Sequence, residues 1–352
     1  MKELDALLSQ TGEWLRGDGA VSDIVTSSRI RLARNLEKRP FTTRATKASQ
    51  AEVLGLVTDS LAQTASLRTP LYVALDEVDD VDRQFLVERH LISREHAGAS
   101  GRRAVAIGAG EIVSLMINEE DHLRIQVMQA GLNLREAWQR IDALDDELAE
   151  TLPYAYSNDW GYLTCCLTNT GTGMRASIMA HLPALVMTKQ INKVLHAITK
   201  LGLTARGLYG EGTEAQGNFF QISNQESLGK TEDELIEKLE RVIKEVITNE
   251  QRARETLLSQ NRLQLEDRVW RAYGILWSAH VISSNETLDL LSAIRLGVDL
   301  GLMTKVDRAA INAMLLCSQP AHLQKLEGDR LSAAERDAKR AALIRKRLGA
   351  PE

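Results

Sequence analysis

Strand-prone runs in this 352-residue chain stop near residue 230, and only helical periodicity continues beyond that point. The chain is therefore expected to divide into a mixed part and an all-helical part. From residue 102, RRAVAIG, EIVSLMIN and HLRIQVMQ are short β-prone runs separated by the turns AG and EED, the pattern of an antiparallel meander. Leu134, Trp138, Ile141, Leu144 and Leu148 recur at helical spacing and would cover one face of that sheet. WGYLTCCL and TARGLYG are further strand candidates. They flank a helix whose apolar face includes Leu182, Leu185, Ile191, Val194 and Ile198, and QGNFFQISN is expected to close the sheet. Earlier in the chain, Ser49 and Glu52 match a capping box ahead of Val53, Val57 and Leu61. Thr231 and Glu234 match another, opening a long helix that carries Leu235, Leu239, Val242 and Val246. Turn signals at SSNE, residues 283–286, and QP, residues 319–320, divide the remainder of the chain into several helices. The expected fold class is α+β, with an antiparallel sheet flanked by helices over residues 1–225 and an all-helical domain over 226–352. A length beyond the roughly 250–300 residues at which single cores stop growing agrees with two domains.

A net charge of -5 argues against nucleic-acid binding as the main activity, because such proteins carry a basic surplus against phosphate. The opening MKELDALLSQTGEW lacks the apolar core of a signal peptide, and no stretch approaches the roughly 20 apolar residues of a membrane span. A cytoplasmic protein is expected. Cys165, Cys166 and Cys317 match neither zinc-ligand spacing nor a disulfide framework, and Cys317 reads as a buried small hydrophobe.

Several stretches gather groups suited to anions. In SSRIRLARN an extended backbone turns Arg29 and Arg31 to one face and Ile30 and Leu32 to the other. Two guanidinium forks on one face suit polyphosphate oxygens, and Arg34 adds to the basic cluster. A solvated strand edge is the plainer alternative. NEEDHLR, residues 118–124, is a tight acidic turn between strands, either a catalytic loop on a rigid sheet or a solvated turn. TNTGTGMR, residues 168–175, is a Gly/Thr-rich loop expected to open a helix, where backbone N–H groups beside Arg175 would receive an anion. It lacks the GK[ST] of a P-loop, and a capped loop is the alternative. RGLYGEGTE, residues 206–214, has glycines for a loop that closes over a ligand, or for a plain hairpin. RDAKRA, residues 336–341, lies in an alternating-charge stretch that reads as a solvated helix. Together Arg29, Arg31, Arg124, Arg175 and Arg206 with two acidic loops suggest a site of two halves. Arginine forks would hold nucleotide phosphates, and carboxylates would hold a cationic acceptor for in-line attack.

SSRIRLARN, NEEDHLR, CLTNTGTGMRAS and RGLYGEGTE, in this order, resemble the phosphagen (guanidino) kinases. The likeness is closer still to the bacterial protein-arginine-kinase branch, through LVERHLIS, HLPALVMTKQIN, FQISNQ, GKTEDEL, QLEDRVWRAYGIL and RDAKRAALIRKRL. Small-molecule members carry a sizeable helical domain before the SSRIR motif, which here begins at residue 27 and leaves the acceptor side open to a protein. The resemblance implies ATP contacts at Ser27, Ser28, Arg29, Ile30, Arg31, His90, Arg124, Arg175, Ala176, Ser177, Ile178, Met179, Arg206, Gly207, Leu208, Tyr209, Gly210 and Glu211. It makes Glu120 and Glu211 the acceptor carboxylates, Glu120 as base and Glu211 as orienting partner, since a guanidinium with a pKa of about 12.5 or more is not nucleophilic until it yields a proton. Cys166 aligns with the reactive cysteine of the family, and its role would be electrostatic support of the acceptor. CCLTN departs from the usual SCPTN, with Cys165 for serine and Leu167 for proline.

The resemblance further implies Mg2+ on the ATP phosphates without a dedicated protein cage, and a phosphoarginine pocket used in allosteric control at Arg336, Asp337, Ala338, Lys339, Arg340 and Ala341. It implies a homodimer formed through the helical domain. Implied partners are arginine-bearing protein substrates including the repressor CtsR, the activator McsA, and a Clp unfoldase. A kinase of a small guanidino compound and a non-catalytic phosphoarginine-reading adaptor are the competing readings.

Overall fold

The computed structural model describes residues 2–207 and 216–350. Its strands are β1 Val25–Arg34, β2 Leu71–Ala74, β3 Ala104–Ile107, β4 Val113–Ile117, β5 Leu123–Ala130, β6 Tyr156–Ser157, β7 Gly161–Tyr162, β8 Met174–His181, β9 Leu203–Arg206 and β10 Phe219–Asn224. The helices are α1 Lys2–Asp5, α2 Lys47–Leu61, α3 Asp80–Glu88, α4 Arg94–Gly98, α5 Leu134–Ala149, α6 Pro183–Met187, α7 Ile191–Lys200, α8 Glu232–Gln260, α9 Arg262–Ser278, α10 Ser284–Asp299, α11 Arg308–Cys317, α12 Pro320–Glu327 and α13 Ala333–Leu348.

Eight strands form one antiparallel sheet in the order β2-β3-β4-β5-β1-β8-β10-β9. The meander expected from residue 102 is β3 to β5. One face packs on α2, α5 and α8: Ile30, Leu32, Ala176 and Ile178 share a core with Val53, Ile141, Leu144, Leu239 and Ile243. The capping box at Thr231 and Glu234 opens α8, with Leu235, Leu239, Val242 and Val246 buried. Ser283 caps α10, and Pro320 stands in the first turn of α12, as the turn signals required.

Five local expectations are corrected. The helix after residue 45 is capped by Thr46, whose hydroxyl accepts from the Ser49 N–H, and not by Ser49 with Glu52. TNTGTGMR runs into strand β8 and not into a helix. Met174–His181 is buried on both faces, with Met179 packed in a second core with Val269, Ile294 and Met314, so it lacks the alternation that marks a half-exposed strand. WGYLTCCL contributes only Gly161–Tyr162, paired with Tyr156–Ser157 outside the main sheet. QGNFFQISN does not close the sheet, because β10 lies inside β9. The helix expected before TARGLYG is split into α6 and α7, with Lys189 at a φ of 59° between them.

Candidate active site

The opposite face of the sheet gathers the arginines by register. Arg31 lies opposite Arg175 on β8 and Gln126 on β5, Arg29 opposite Ser177, Ala33 opposite Arg124, and Arg206 opposite Gln221. Because residues facing each other across strands share a side of the sheet, the alternation that buries Ile30 and Leu32 turns these polar groups into one cleft. That cleft has a volume of about 700 Å3 and is lined by Arg29, Arg31, Arg124, Arg175, Arg206 and His90, and also by Glu120 and Cys166.

The cations repel each other. Burial, with Arg124 and Arg175 nearby, pulls the Arg29 guanidinium down to about 9, and burial beside Arg29, Arg124 and Arg175 holds Arg31 well below the ordinary value. Arg29 is partly satisfied by Gln221 Oε1 at 2.7 Å, whereas Arg31 Nε is buried without a hydrogen-bond partner. A buried guanidinium nitrogen without a partner, within a cluster of like charges, is what an anion would complete.

Glu119 supplies part of the opposing charge, a role the NEEDHLR turn does not by itself assign to it. Its carboxylate accepts from Arg124 Nη1 at 2.7 Å, from Ser93 Oγ at 2.6 Å and from the Glu120 N–H at 2.7 Å. Burial alone would raise its pKa, but Arg124 and these hydrogen bonds outweigh burial and hold it at about 2. Glu120 is pushed up instead, by burial first and then by Asp121. The acidic turn is braced from below. Asp121 Oδ1 accepts from Asn35 Nδ2 at 2.6 Å and from the Cys165 N–H at 2.7 Å, tying this turn to the cysteine loop. His122 Nδ1 accepts from the Leu36 N–H, so Nε2 carries the proton towards the Pro40 carbonyl 3.1 Å away. His122 is thus a buried strut. Cys166 Sγ lies 3.0 Å from Thr168 Oγ1, and burial pushes the Cys165 thiol up to about 12.

Not every expected site residue reaches the cleft. Ile30, Ala176 and Ile178 point into the core on the other face, and Met179 into the second core. Ser28 is buried, donating to the Gly131 carbonyl and accepting from the Asn133 N–H. Ser27 and Gly207 are buried as well, while Ser177 lies 3.4 Å from Arg29 Nε. Leu208, Tyr209, Gly210 and Glu211 lie outside the described residues. Arg34 leaves the basic cluster for the core face, paired with Asp145 at 2.6 Å and stacked 3.5 Å over the Tyr162 ring. In RDAKRA, Ala338 and Lys339 are exposed, with Lys339 paired to Glu327 at 2.5 Å, and Ala341 is buried. Arg336 donates to the Leu331 carbonyl. Arg340 is buried and donates to the Ser318 and Ile282 carbonyls at 2.8 Å and to Asp337 at 2.5 Å, so this stretch is only partly a solvated helix.

The fold is that of guanidino phosphotransferases, and the chain belongs to the ATP:guanido phosphotransferase family, whose C-terminal catalytic domain matches residues 52–253. Residues 262–352 match the protein-arginine kinase McsB C-terminal domain. Nearly the whole chain is similar to the protein-arginine kinase of Halothermothrix orenii, 48% identical over 344 residues and 98% of each chain. That of Symbiobacterium thermophilum is 50% identical over 340 residues, 96% of each chain. Among solved structures, the duplicated taurocyamine kinase from Schistosoma mansoni with bound transition state analog components superposes with a TM-score of 0.61 at 27% identity. This match covers 69% of this chain and 35% of that one. Lombricine kinase, with a TM-score of 0.57 and 24% identity over 71% of this chain and 77% of its own, shares the fold.

Proposed function

We propose that this protein is a protein-arginine kinase, transferring the γ-phosphoryl group of ATP to arginine side chains of other proteins. The observation that carries this reading is the convergence of Arg29, Arg31, Arg124, Arg175 and Arg206 on one cleft that also holds Glu120 and Cys166. Likeness to protein-arginine kinases over both parts of the chain supports a protein acceptor.

In this reading the arginines hold the triphosphate and spread the charge that develops on the transferred group. Mg2+ would accompany the ATP phosphates and supply charge neutralisation there, held mainly by phosphate and water oxygens and not by a dedicated protein cage. Glu120 and Glu211 clamp the acceptor guanidinium, and Glu120 removes the proton as the acceptor nitrogen attacks. The N–P bond forms, the bond from the γ-phosphorus to the bridging oxygen breaks, and ADP leaves. A raised pKa suits Glu120 to the proton transfer, because a very weak base would not compete for a guanidinium proton. Cys166 supports the acceptor electrostatically beside this pair.

The surroundings of the reaction are part of the same proposal. Residues 1–225 form the catalytic domain and 226–352 a helical domain for dimerisation. Arg336, Asp337, Ala338, Lys339, Arg340 and Ala341 bind phosphoarginine as an allosteric signal in the stress response. McsA activates the enzyme, CtsR is among its substrates, and a Clp unfoldase degrades the marked proteins in the cytoplasm. Among the described residues no helix is long and apolar enough to cross a membrane.

The test incubates the purified protein with Mg-ATP and either an unstructured arginine-rich protein or free arginine, then measures acid-labile phosphoarginine by mass spectrometry under mild conditions. Label on protein arginine is expected. Label on free arginine alone would establish a small-molecule kinase instead, and no label with or without McsA would leave the adaptor reading.

A further inference from the structure

We infer that His322, in the helix α12 of the C-terminal part, is a positioning residue for the nucleotide half of the cleft, acting through Glu88 and Arg89 on His90. The inference rests on the cleft being the ATP site proposed above.

The chain leaves α3 through Arg89 and His90. The His90 ring lines the cleft and stands edge-on to Trp14, with ring centroids 4.8 Å apart. Its backbone has a φ of 58°, which a side-chain-bearing residue rarely adopts and which its surroundings must impose. Its carbonyl accepts from Gln126 Nε2 at 2.5 Å, on the strand that also bears Arg124.

The two preceding residues are buried, and α12 engages both. Glu88 accepts from the Ala321 N–H at 2.8 Å and the His322 N–H at 3.0 Å, in the first turn of α12, and lies 2.8 Å from His322 Nδ1. Arg89 pairs with Glu111 and donates to the Gln10 carbonyl at 2.8 Å, while its Nη1 lies 3.3 Å from His322 Nε2. A guanidinium can only donate, so Nε2 is the acceptor and the ring proton sits on Nδ1, directed at Glu88. A single neutral tautomer therefore closes the chain from Arg89 through His322 to Glu88. Burial lowers the His322 pKa against the opposing pull of Glu88, in keeping with a neutral ring, and Phe85 packs on it at 4.4 Å between centroids. Both residues before His90 are thus bridged by one imidazole from the C-terminal part of the sequence, beside the α12 backbone donors on Glu88 and the Glu111 and Gln10 partners of Arg89, and a shift of α12 is transmitted to the cleft wall.

The test compares His322→Leu, His322→Gln and His322→Asn with the wild-type full chain by ADP calorimetry, kinetics and thermal denaturation. His322→Leu is expected to raise the ADP Kd and the KM for ATP roughly 3- to 30-fold, leaving kcat at saturating ATP within about twofold. His322→Asn, whose amide can still donate to Glu88 without reaching Arg89, is expected to recover part of the affinity. Unchanged ADP affinity in the variants that fold, or a fall in kcat alone, would overturn the inference. If the Leu variant fails to fold, the Gln and Asn variants decide it by the same criterion. Wild-type protein that binds no ADP would refute the ATP reading itself, and the inference would fall with it.

Discussion

Arg124 and Glu119 meet at 2.7 Å with the carboxylate buried and the guanidinium turned to the cleft. The pair thus holds one arginine of the cluster in place beside the other cations that line the cleft. Removing the carboxylate as Glu119→Ala is expected to cost about 3 kcal/mol, the scale of a broken buried ion pair. ATP should restore part of the loss, because its phosphates replace the missing negative charge. Urea denaturation with and without ATP reads both effects, and equal losses in the two conditions would show that the pair is independent of the site.

The same carboxylate gives the fold an acid-sensitive element. Glu119 is held at about 2 against an ordinary 4.5, a depressed folded-state pKa. Its contribution is therefore complete above about pH 4.5 and lost as pH falls towards 2. The difference in stability between wild type and Glu119→Gln, measured across that window, is expected to shrink with acidification.

Glu120 should behave oppositely. Its raised pKa places the acid limb of the rate profile above that of an ordinary carboxylate. Glu120→Gln is expected to lower kcat by about 10²- to 10⁴-fold while ADP still binds. Near-normal turnover, or an unchanged acid limb, would remove Glu120 from the proton transfer.

The crowding of cations predicts a separation of stability from binding. Arg31→Met removes the repulsion between Arg31 and its neighbours Arg29, Arg124 and Arg175 and should leave the ligand-free protein at least as stable as wild type. It should also abolish most of the nucleotide-induced stabilisation, which for the wild type is about 2.7 kcal/mol at a ligand concentration of 100 Kd. Equal melting shifts on adding ATP to the two proteins would show that Arg31 does not contact phosphate.

The adjacent thiols should be told apart by alkylation. Cys165 is protonated at neutral pH because burial and Asp121 push its thiol up to about 12, and Cys317 is raised by burial as well. Cys166 lines the cleft. Iodoacetamide at pH 7 is expected to modify Cys166 first, with loss of activity and with protection by Mg-ATP, as followed by peptide mass spectrometry. Modification first at Cys165 would contradict this.

Arg336 and Arg340 are unequal probes of the C-terminal helix. Arg340→Ala leaves the buried Ser318 and Ile282 carbonyls without a donor and should cost about 3 kcal/mol in urea denaturation whatever its role in ligand binding. Arg336→Ala leaves the core of the helix intact, so its response to added phosphoarginine is the cleaner test of the proposed pocket.

Much of this architecture was legible in the chain. Alternation in SSRIRLARN placed Arg29 and Arg31 opposite Ile30 and Leu32, and the sheet bears this out. The capping box at Thr231 was equally plain, because its partners are three residues apart. Strand β8 was hidden for a physical reason: a strand covered on both faces loses its two-residue period, and the Gly/Thr loop before it mimics a helix start. Residues whose meaning depends on distant partners were also hidden. Arg34 belongs with Asp145 on the core face, and Glu88 with His322, 234 positions further along the chain. Glu119 had a nearer signal, since Arg124 follows it in the same hairpin, where opposite charges flank a short turn.

Strand β1 is made first and finished late. Its two edges pair with β5, from residue 123, and with β8, from residue 174, so on the strand that carries Arg29 and Arg31 one backbone edge waits for β5 and the other for β8 while the intervening chain is synthesised. At about 5–20 residues per second this interval lasts seconds to tens of seconds on the ribosome. Throughout it, a ten-residue extended segment with an apolar face is available to any other exposed edge. The arginines on its other face are then more than a future phosphate site: on a nascent chain they are like charges in register that disfavour pairing of β1 with a copy of itself.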